Sequence, residues 1–499
     1  MLRAMDNILV HIISTAVIGT LLFIAILRAI MFLHMLQLEG YKTERFIKWL
    51  INNLNKILAI RVVKYPKKKL VFTARATRLF ILTLILLIFA VYNFSKLSPF
   101  IFISTIFLTS FFVPFFLVMS NILIYPLEML INNLYLRSAK KMMTKLKPKV
   151  VAITGSYGKT STKDILTHIL SVRYKVLKTP GSFNTPMGLC KVIRGELKPE
   201  HEVFIVELGA RKRGEIKELC ELVKPEIGMI TAIGPQHLEM FKTVENIMDT
   251  KYELIEALPS NGIAVFNGDD ENCRQLAQKT KDKKALLYGI NKSDVKLHLL
   301  AKDISISSQG IYFLTQNSKG NTVPYQCRLL GRHNVSNVLA AATVALEFGM
   351  SLSEIAEAVK TLEQTTHRLQ LISGAGGVTV IDDAFNANPI GAKIALEVLS
   401  EFKGGRKILV TPGLVELGER EYEENKQLGI TAAKVCDLVF LVGPKRTKSI
   451  FDGLKEAGFH ETNIFVEKSL NAVTERFKDI LKVGDVVLFE NDLPDTYNE

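Results

Sequence analysis

The stretch KVVAITGSYGKTSTKDIL, residues 149–166, decides how the rest of the chain is read. A full phosphate-binding loop places a glycine five positions before the glycine of its Gly-Lys-Ser/Thr end, and here that position, five before Gly158, is Ile153. The physical requirements are nevertheless met. Phosphate needs a tight glycine turn, converging backbone N–H groups, a lysine and a helix N-terminus. Val150, Val151, Ala152 and Ile153 form a short β-branched run, and Gly155 and Gly158 permit the turn. From Thr160 onward, Ile165, Leu166, Ile169 and Leu170 recur at helical spacing. The reading is strand, loop, helix; the bland alternative is an ordinary turn with a surface lysine.

Downstream, VVAIT, VFIVEL, IGMITAI and GIAVFN alternate with helical stretches, which predicts a parallel sheet flanked by helices. Between residues 295 and 328 the segments VKLHLLA, ISISS and IYFLTQ read as a small antiparallel appendage, followed by a helix from Asn334 through Phe348. VTVIDD, KILVTPG, LVFLVG, NIFVE and DVVLFE predict a second α/β domain beginning near Thr366. The expected division is a helical region over 1–147, a nucleotide-binding domain over 148–366 and a smaller α/β domain over 367–499.

The first third is different in texture. Ile8 to Leu27 holds no charge, and Leu79 to Ser95 and Pro99 to Leu127 are two further apolar runs. Their lengths predict about three transmembrane helices near 7–33, 79–95 and 99–125. Residues 41–78 carry eleven lysines and arginines against Glu44 alone, and residues 137–149 carry six and no acid. By the positive-inside rule these segments face the cytoplasm, which predicts a multi-pass protein of the cytoplasmic membrane with its catalytic domains inside the cell. These two segments account for the chain's net charge of +14. The charge therefore points to anionic lipid rather than to nucleic acid. Cys190, Cys220, Cys273, Cys327 and Cys436 show no paired or metal-binding spacing and read as reduced structural thiols.

TGSYGKTS, VELGARKRGEI, ITAIGPQHLEMF, TKYELI with LPSNGIAVFN, GRHNVSNVLAA, THRL and IDDAFNANP follow one another in an order that resembles the Mur ligase family. The likeness spans about residues 149–490 and is nearest the branch that adds D-alanyl-D-alanine. It implies a P-loop-type parallel-sheet central domain and a Rossmann-like C-terminal domain. It also implies ATP-dependent amide formation through an acyl phosphate, with Mg²⁺ or Mn²⁺. ATP phosphates are expected against Gly155, Ser156, Gly158, Lys159, Thr160 and Ser161, with Asn184 nearby. Thr160, Glu207, His237 and Lys251 are the expected metal ligands, Lys251 as its carbamate. Asn334 is expected at adenine, Asp383 at ribose and Arg368 at the γ-phosphate. Lys159, His237, Lys251 and Arg368 are the groups expected to serve the chemical step. Taken singly, His237 reads as a structural histidine, Lys251 as a helix-surface lysine and Arg368 as a surface ion pair. Their joint order outweighs those readings, whereas Asp382 is read as structural.

Departures from the resemblance concern the substrates. The apolar helical region stands where the family's uridine-nucleotide-binding domain is expected, Arg211-Lys212 replaces Asn-His, and Glu490-Asn491-Asp492-Leu493 replaces Lys-Gly-Ser-Arg. The expectation is a membrane-anchored ATP-dependent ligase joining an amino acid or dipeptide to a lipid-linked or polymeric cell-envelope precursor. A tethered conventional D-alanyl-D-alanine ligase, a polyglutamate-type synthase and a non-enzymatic ATP-binding membrane scaffold are the alternatives.

Overall fold

The computed structural model describes residues 2–53, 69–95, 99–181, 183–235, 238–290, 295–364, 367–384, 388–415 and 417–493. The chain divides into two compact units, essentially residues 1–134 and 135–493.

The first unit is helical. Its helices are Leu2–Leu38, Thr43–Asn52, Ala74–Ser95 and the first part of Pro99–Leu146. Phe32, Leu33, Leu36, Phe46, Leu79, Val113 and Leu117 are fully buried at their contacts. Two polar ties cross this core: Arg78 Nε donates to Glu128 Oε1 at 2.7 Å, and Thr83 Oγ1 to Ser120 Oγ at 3.0 Å. Gly19–Leu38, Ala74–Asn93 and Phe111–Leu146 are long and apolar enough, by length and composition, to cross a membrane. The third helix runs beyond the predicted end near 125, through Pro126, because its pattern does not stop there. Ala139 and Met143 in its last turns are buried in a core of the second unit.

The second unit contains two sheets. The first comprises β1 (Lys149–Thr154), β2 (Val176–Lys178), β3 (Val203–Glu207), β4 (Ile227–Ile230), β5 (Ile263–Asn267), β6 (Lys284–Gly289), β7 (Leu299–Ser307), β8 (Gly310–Asn317) and β9 (Thr322–Cys327). Their order is β2-β3-β1-β4-β5-β6-β7-β8-β9, parallel as far as β7 and antiparallel beyond it. Side chains alternate across a strand, so each strand feeds two cores. Val151, Ile153, Val203 and Ile205 pack toward the helices Lys159–Leu170 and His333–Glu347. Val150, Ala152, Phe204 and Val206 pack on the other face, toward Pro186–Gly195, Glu215–Val223 and Val244–Glu256. A strand buried on both faces needs the continuous apolar runs seen in the sequence.

The predicted antiparallel segment is present as β7, β8 and β9, but it does not stand apart from the main sheet. β7 pairs parallel to β6 at Tyr288 with Leu299 and Gly289 with Leu300, so the appendage extends the main sheet. The two expected strands VKLHLLA and ISISS are largely one strand, bulged between Lys302 and Ser305, with Asp303 in the left-handed region at φ 50°.

The second sheet comprises β10 (Gln370–Ser373), β11 (Thr379–Asp383), β12 (Lys407–Thr411), β13 (Leu438–Val442), β14 (Ile464–Glu467) and β15 (Val486–Glu490), in the order β10-β11-β15-β12-β13-β14. All its pairings are parallel except β10 with β11. The register sets Asp383 opposite Glu490 at the C-terminal ends of β11 and β15. All five cysteines are buried free thiols.

Candidate nucleotide and metal site

The strand β1 ends at buried Thr154 and delivers the chain to a loop built around two glycines. Gly155 has φ 153° and Gly158 φ 78°. A Cβ on Gly155 would lie 2.0 Å from Thr231 Oγ1, and one on Gly158 would lie 2.7 Å from Asn337 Oδ1. Both positions are therefore closed to side chains by close approach as well as by backbone conformation. The loop is fastened to the segment after β4. Ser156 N donates to Ala232 O at 2.7 Å, Ser156 Oγ donates to Gly234 O at 3.0 Å, and the Thr231 hydroxyl donates to Tyr157 O. Gly158 then caps the helix Lys159–Leu170, whose first N–H groups and dipole make an anion-binding end.

Lys159 folds over this loop, its Nζ donating to Gly155 O at 2.7 Å. Burial pushes its ammonium down to about 8, Glu207 pulls it up, and Arg368 lowers it further. Thr160 Oγ1 donates to Glu207 Oε2 at 2.8 Å, and the same oxygen receives Lys163 Nζ at 3.2 Å. Lys163 and Glu207 are both buried, a cation and an anion meeting at the end of β3. A carboxylate and a hydroxyl side by side, next to a phosphate-binding helix end, suit a hard divalent cation that takes its other ligands from phosphate and water. Among the described residues no three His, Cys, Asp or Glu side chains converge.

The structure brings other expected residues to the same region. Lys251 is buried on the helix Val244–Glu256. Burial holds its amine well below the usual lysine range; Lys159 lowers it further, and Cys273 opposes this. Arg368 is largely buried, which lowers its guanidinium, while Asp383, Glu207 and Asp164 act in the opposite sense. Asn334 donates from Nδ2 to Leu330 O at 2.8 Å and accepts from Asn337 Nδ2 at 2.9 Å. Asp383 Oδ1 accepts from Leu369 N at 3.1 Å. Asn184 approaches Gly209 so closely that a Cβ there would lie 2.6 Å from Asn184 Nδ2. His237 lies outside the described residues.

Sequence reading passed over Lys163, Thr231 and Asn337. Lys163 stands one helical turn after Lys159 on the same face, a spacing that could have signalled it. Asn337 follows Asn334 by three and accepts from Thr162 Oγ1 at 3.2 Å, joining the loop's helix to the helix His333–Glu347.

Residues 153–345 match the Mur ligase middle domain, and residues 367–490 match the Mur ligase glutamate ligase domain. This chain belongs to the Mur ligase family, and is an ATP-dependent, ADP-forming ligase of that type. Over 356 residues it is 31% identical to the UDP-N-acetylmuramoyl-tripeptide–D-alanyl-D-alanine ligase of Bacillus subtilis, covering 70% of this chain and 75% of that one. The enzyme of the same name from Mycobacterium bovis is 33% identical over 308 residues, covering 60% of this chain and 59% of the other. Among solved structures, MurF of Thermotoga maritima in complex with ADP superposes with a TM-score of 0.63 at 26% identity, covering 72% of this chain and 80% of that one. The family uses ATP and Mg²⁺.

One expectation is overturned by these comparisons. The relatives are cytoplasmic soluble enzymes, so the location as a multi-pass protein of the cytoplasmic membrane is withdrawn. Its basis was the length and apolarity of three helices, in which Phe32, Leu33, Leu79, Val113 and Leu117 are buried in a shared core while Phe23, Ile85, Phe89, Phe112 and Leu123 are exposed.

Proposed function

We propose that the chain activates a carboxylate of a cell-envelope precursor with ATP and joins an amino acid or dipeptide to it. The observation that carries this reading is the Lys159–Thr160–Glu207 arrangement at the helix end after β1. A carboxylate oxygen of the acceptor attacks the γ-phosphorus and ADP leaves. The amine nitrogen of the donor then attacks the acyl carbon of the resulting acyl phosphate. The bond to phosphate breaks, and the amine loses one proton.

The two attacking partners and the nucleotide are anionic or electron-rich, so cationic charge is the main requirement. Lys159 neutralises the β- and γ-phosphates. Arg368, brought by the segment before β10, neutralises the γ-phosphate from the opposite side. Thr160 and Glu207 would hold Mg²⁺, which would supply Lewis-acid charge to the phosphates. Lys251 is a buried amine held below its usual range, a form that adds carbon dioxide to give a carbamate, N–COO⁻, with release of a proton. By likeness to the family, that carbamate and His237 would be the further metal ligands. Asn334 faces the adenine and Asp383 the ribose.

The acceptor is a peptide carboxylate of the muramyl type, by likeness to the named relatives, and the donor a D-alanyl dipeptide or single amino acid. The test is to supply the acceptor with a heavy-oxygen label in its carboxylate. The acyl-phosphate route transfers one labelled oxygen to the phosphate released. Label retained wholly in the acceptor and product rules that route out.

A further inference from the structure

The two residues that flank Arg368 have an unusual backbone. His367 has φ 58° and Leu369 φ 46°, so two side-chain-bearing residues flank the arginine in the left-handed region. Such conformations persist only where the surroundings enforce them. Here two neighbouring aspartates at the end of β11 do so. Asp382 Oδ2 meets His367 Nδ1 at 2.6 Å, and Asp383 Oδ1 accepts from Leu369 N at 3.1 Å. His367 N also donates to Gln370 Oε1 at 3.2 Å.

Behind Asp383 stands Glu490, its partner in the β11–β15 register. Glu490 is wholly buried, and neither of its oxygens has a hydrogen-bond donor among the described residues. A proton held between two carboxyls so placed would tie the Asp383 side chain to β15 and fix which oxygen faces Leu369. The groups facing them are Arg368, Asp382 and His367, with Glu207 and Asp164 acting on the arginine.

We propose that Asp382, Asp383 and Glu490 form a clamp that holds the backbone of residues 367–369 and so presents the Arg368 guanidinium to the terminal phosphate of ATP. Asp382 and Glu490 are positioning residues, acting through Arg368 rather than on the substrate. The proposal rests on the placement of Arg368 at the γ-phosphate given above.

The test is calorimetric and needs no acceptor. The full chain with Mg²⁺ is titrated with a non-hydrolysable ATP analogue and with ADP, and the ratio of the two affinities is the readout. Arg368→Ala lowers the ratio, and Glu490→Ala lowers it by about five-fold or more without adding to the loss in the Arg368→Ala background. Glu490→Gln, which can still donate to Asp383, restores the ratio to within about two-fold of the parent. Asp382→Ala carries the same test should Glu490→Ala not fold. A ratio unchanged by Glu490→Ala and Asp382→Ala, or a loss that persists undiminished beside Arg368→Ala, overturns the clamp. An unchanged ratio in Arg368→Ala overturns it too, by removing Arg368 from the phosphate. None of these outcomes bears on ligation itself, which the labelled-carboxylate experiment decides.

Discussion

Thr160 Oγ1 and Lys163 Nζ converge on one oxygen of Glu207, at 2.8 and 3.2 Å, so a single carboxylate joins the phosphate-binding helix to the end of β3. The relationship serves the fold as well as the site. Lys163 is fully buried, and apart from Glu207 its ammonium is met by Gly181 O.

Glu207→Ala is therefore expected to destabilise the second unit as well as abolish activity. Removing one partner of a buried ion pair leaves the other charge uncompensated, at about 3–5 kcal/mol. Urea unfolding measures it. Glu207→Ala within about 1 kcal/mol of the parent would show that Lys163 finds another partner.

At Gly158 two penalties are separable. Alanine there must hold a left-handed conformation, at about 1–2 kcal/mol, and must displace Asn337 Oδ1. Adding Asn337→Ala removes only the second. The double variant should thus recover part of the nucleotide affinity lost by Gly158→Ala, as read by calorimetry, and full recovery would mean that the backbone conformation is not under strain.

If Lys251 carries the proposed carbamate, Lys251→Ala removes an anion from the site and lowers ADP formation by about a hundred-fold or more. Acetate or formate in the assay should restore part of the rate by supplying a carboxylate in the space vacated, while chloride should not. Restoration by neither salt, with the fold intact, would argue that an uncharged amine serves at this position.

The acidic pair at the ends of β11 and β15 sets a pH dependence. Burial raises the Asp383 carboxyl to about 6, with Leu369 N and Arg368 opposing, and burial and Asp383 raise Glu490 well above the usual range. A raised acid binds its proton more tightly in the folded state. Its contribution is present below the unfolded value, near 4, and is lost as the pH rises through about 6. His333, lowered to about 4 by burial, slopes the other way over part of this window. The comparison that isolates the pair is thus the parent against Glu490→Gln. Between pH 4 and 7 the parent should lose stability relative to the variant, by on the order of 1–3 kcal/mol, in urea midpoints measured at each pH. Parallel curves would mean that the two carboxyls do not interact.

Much of this was legible in the sequence, and the reasons are local. VVAIT, VFIVE and LVFLV are short β-branched runs buried on both faces, and such runs announce parallel strands without any knowledge of their partners. Gly155, Gly158 and Lys159 announce the loop for the same reason. What failed depended on partners. The bulge at Lys302–Ser305 is fixed by pairing with β8, so a run that looked like two strands is largely one. The strand β9 contains Pro324 and lies at the sheet edge, where a missing N–H costs little, but its sequence gives a weak strand signal. Glu490 stands 107 positions from Asp383, and only the β11–β15 register makes them neighbours. The helix that begins at Pro99 was given too early an end because apolarity fades before helicity does.

The most direct test of the central claim is the stoichiometry of ADP release and amide formation. The full chain is supplied with Mg²⁺-ATP, with uridine-linked and lipid-carried muramyl peptides as acceptors, and with D-alanyl-D-alanine or single amino acids as donors. At least one acceptor and donor pair should yield one ADP for each amide bond, with Lys159→Ala at background. ADP released without a new amide bond, or no turnover above Lys159→Ala with any pair, would contradict the account.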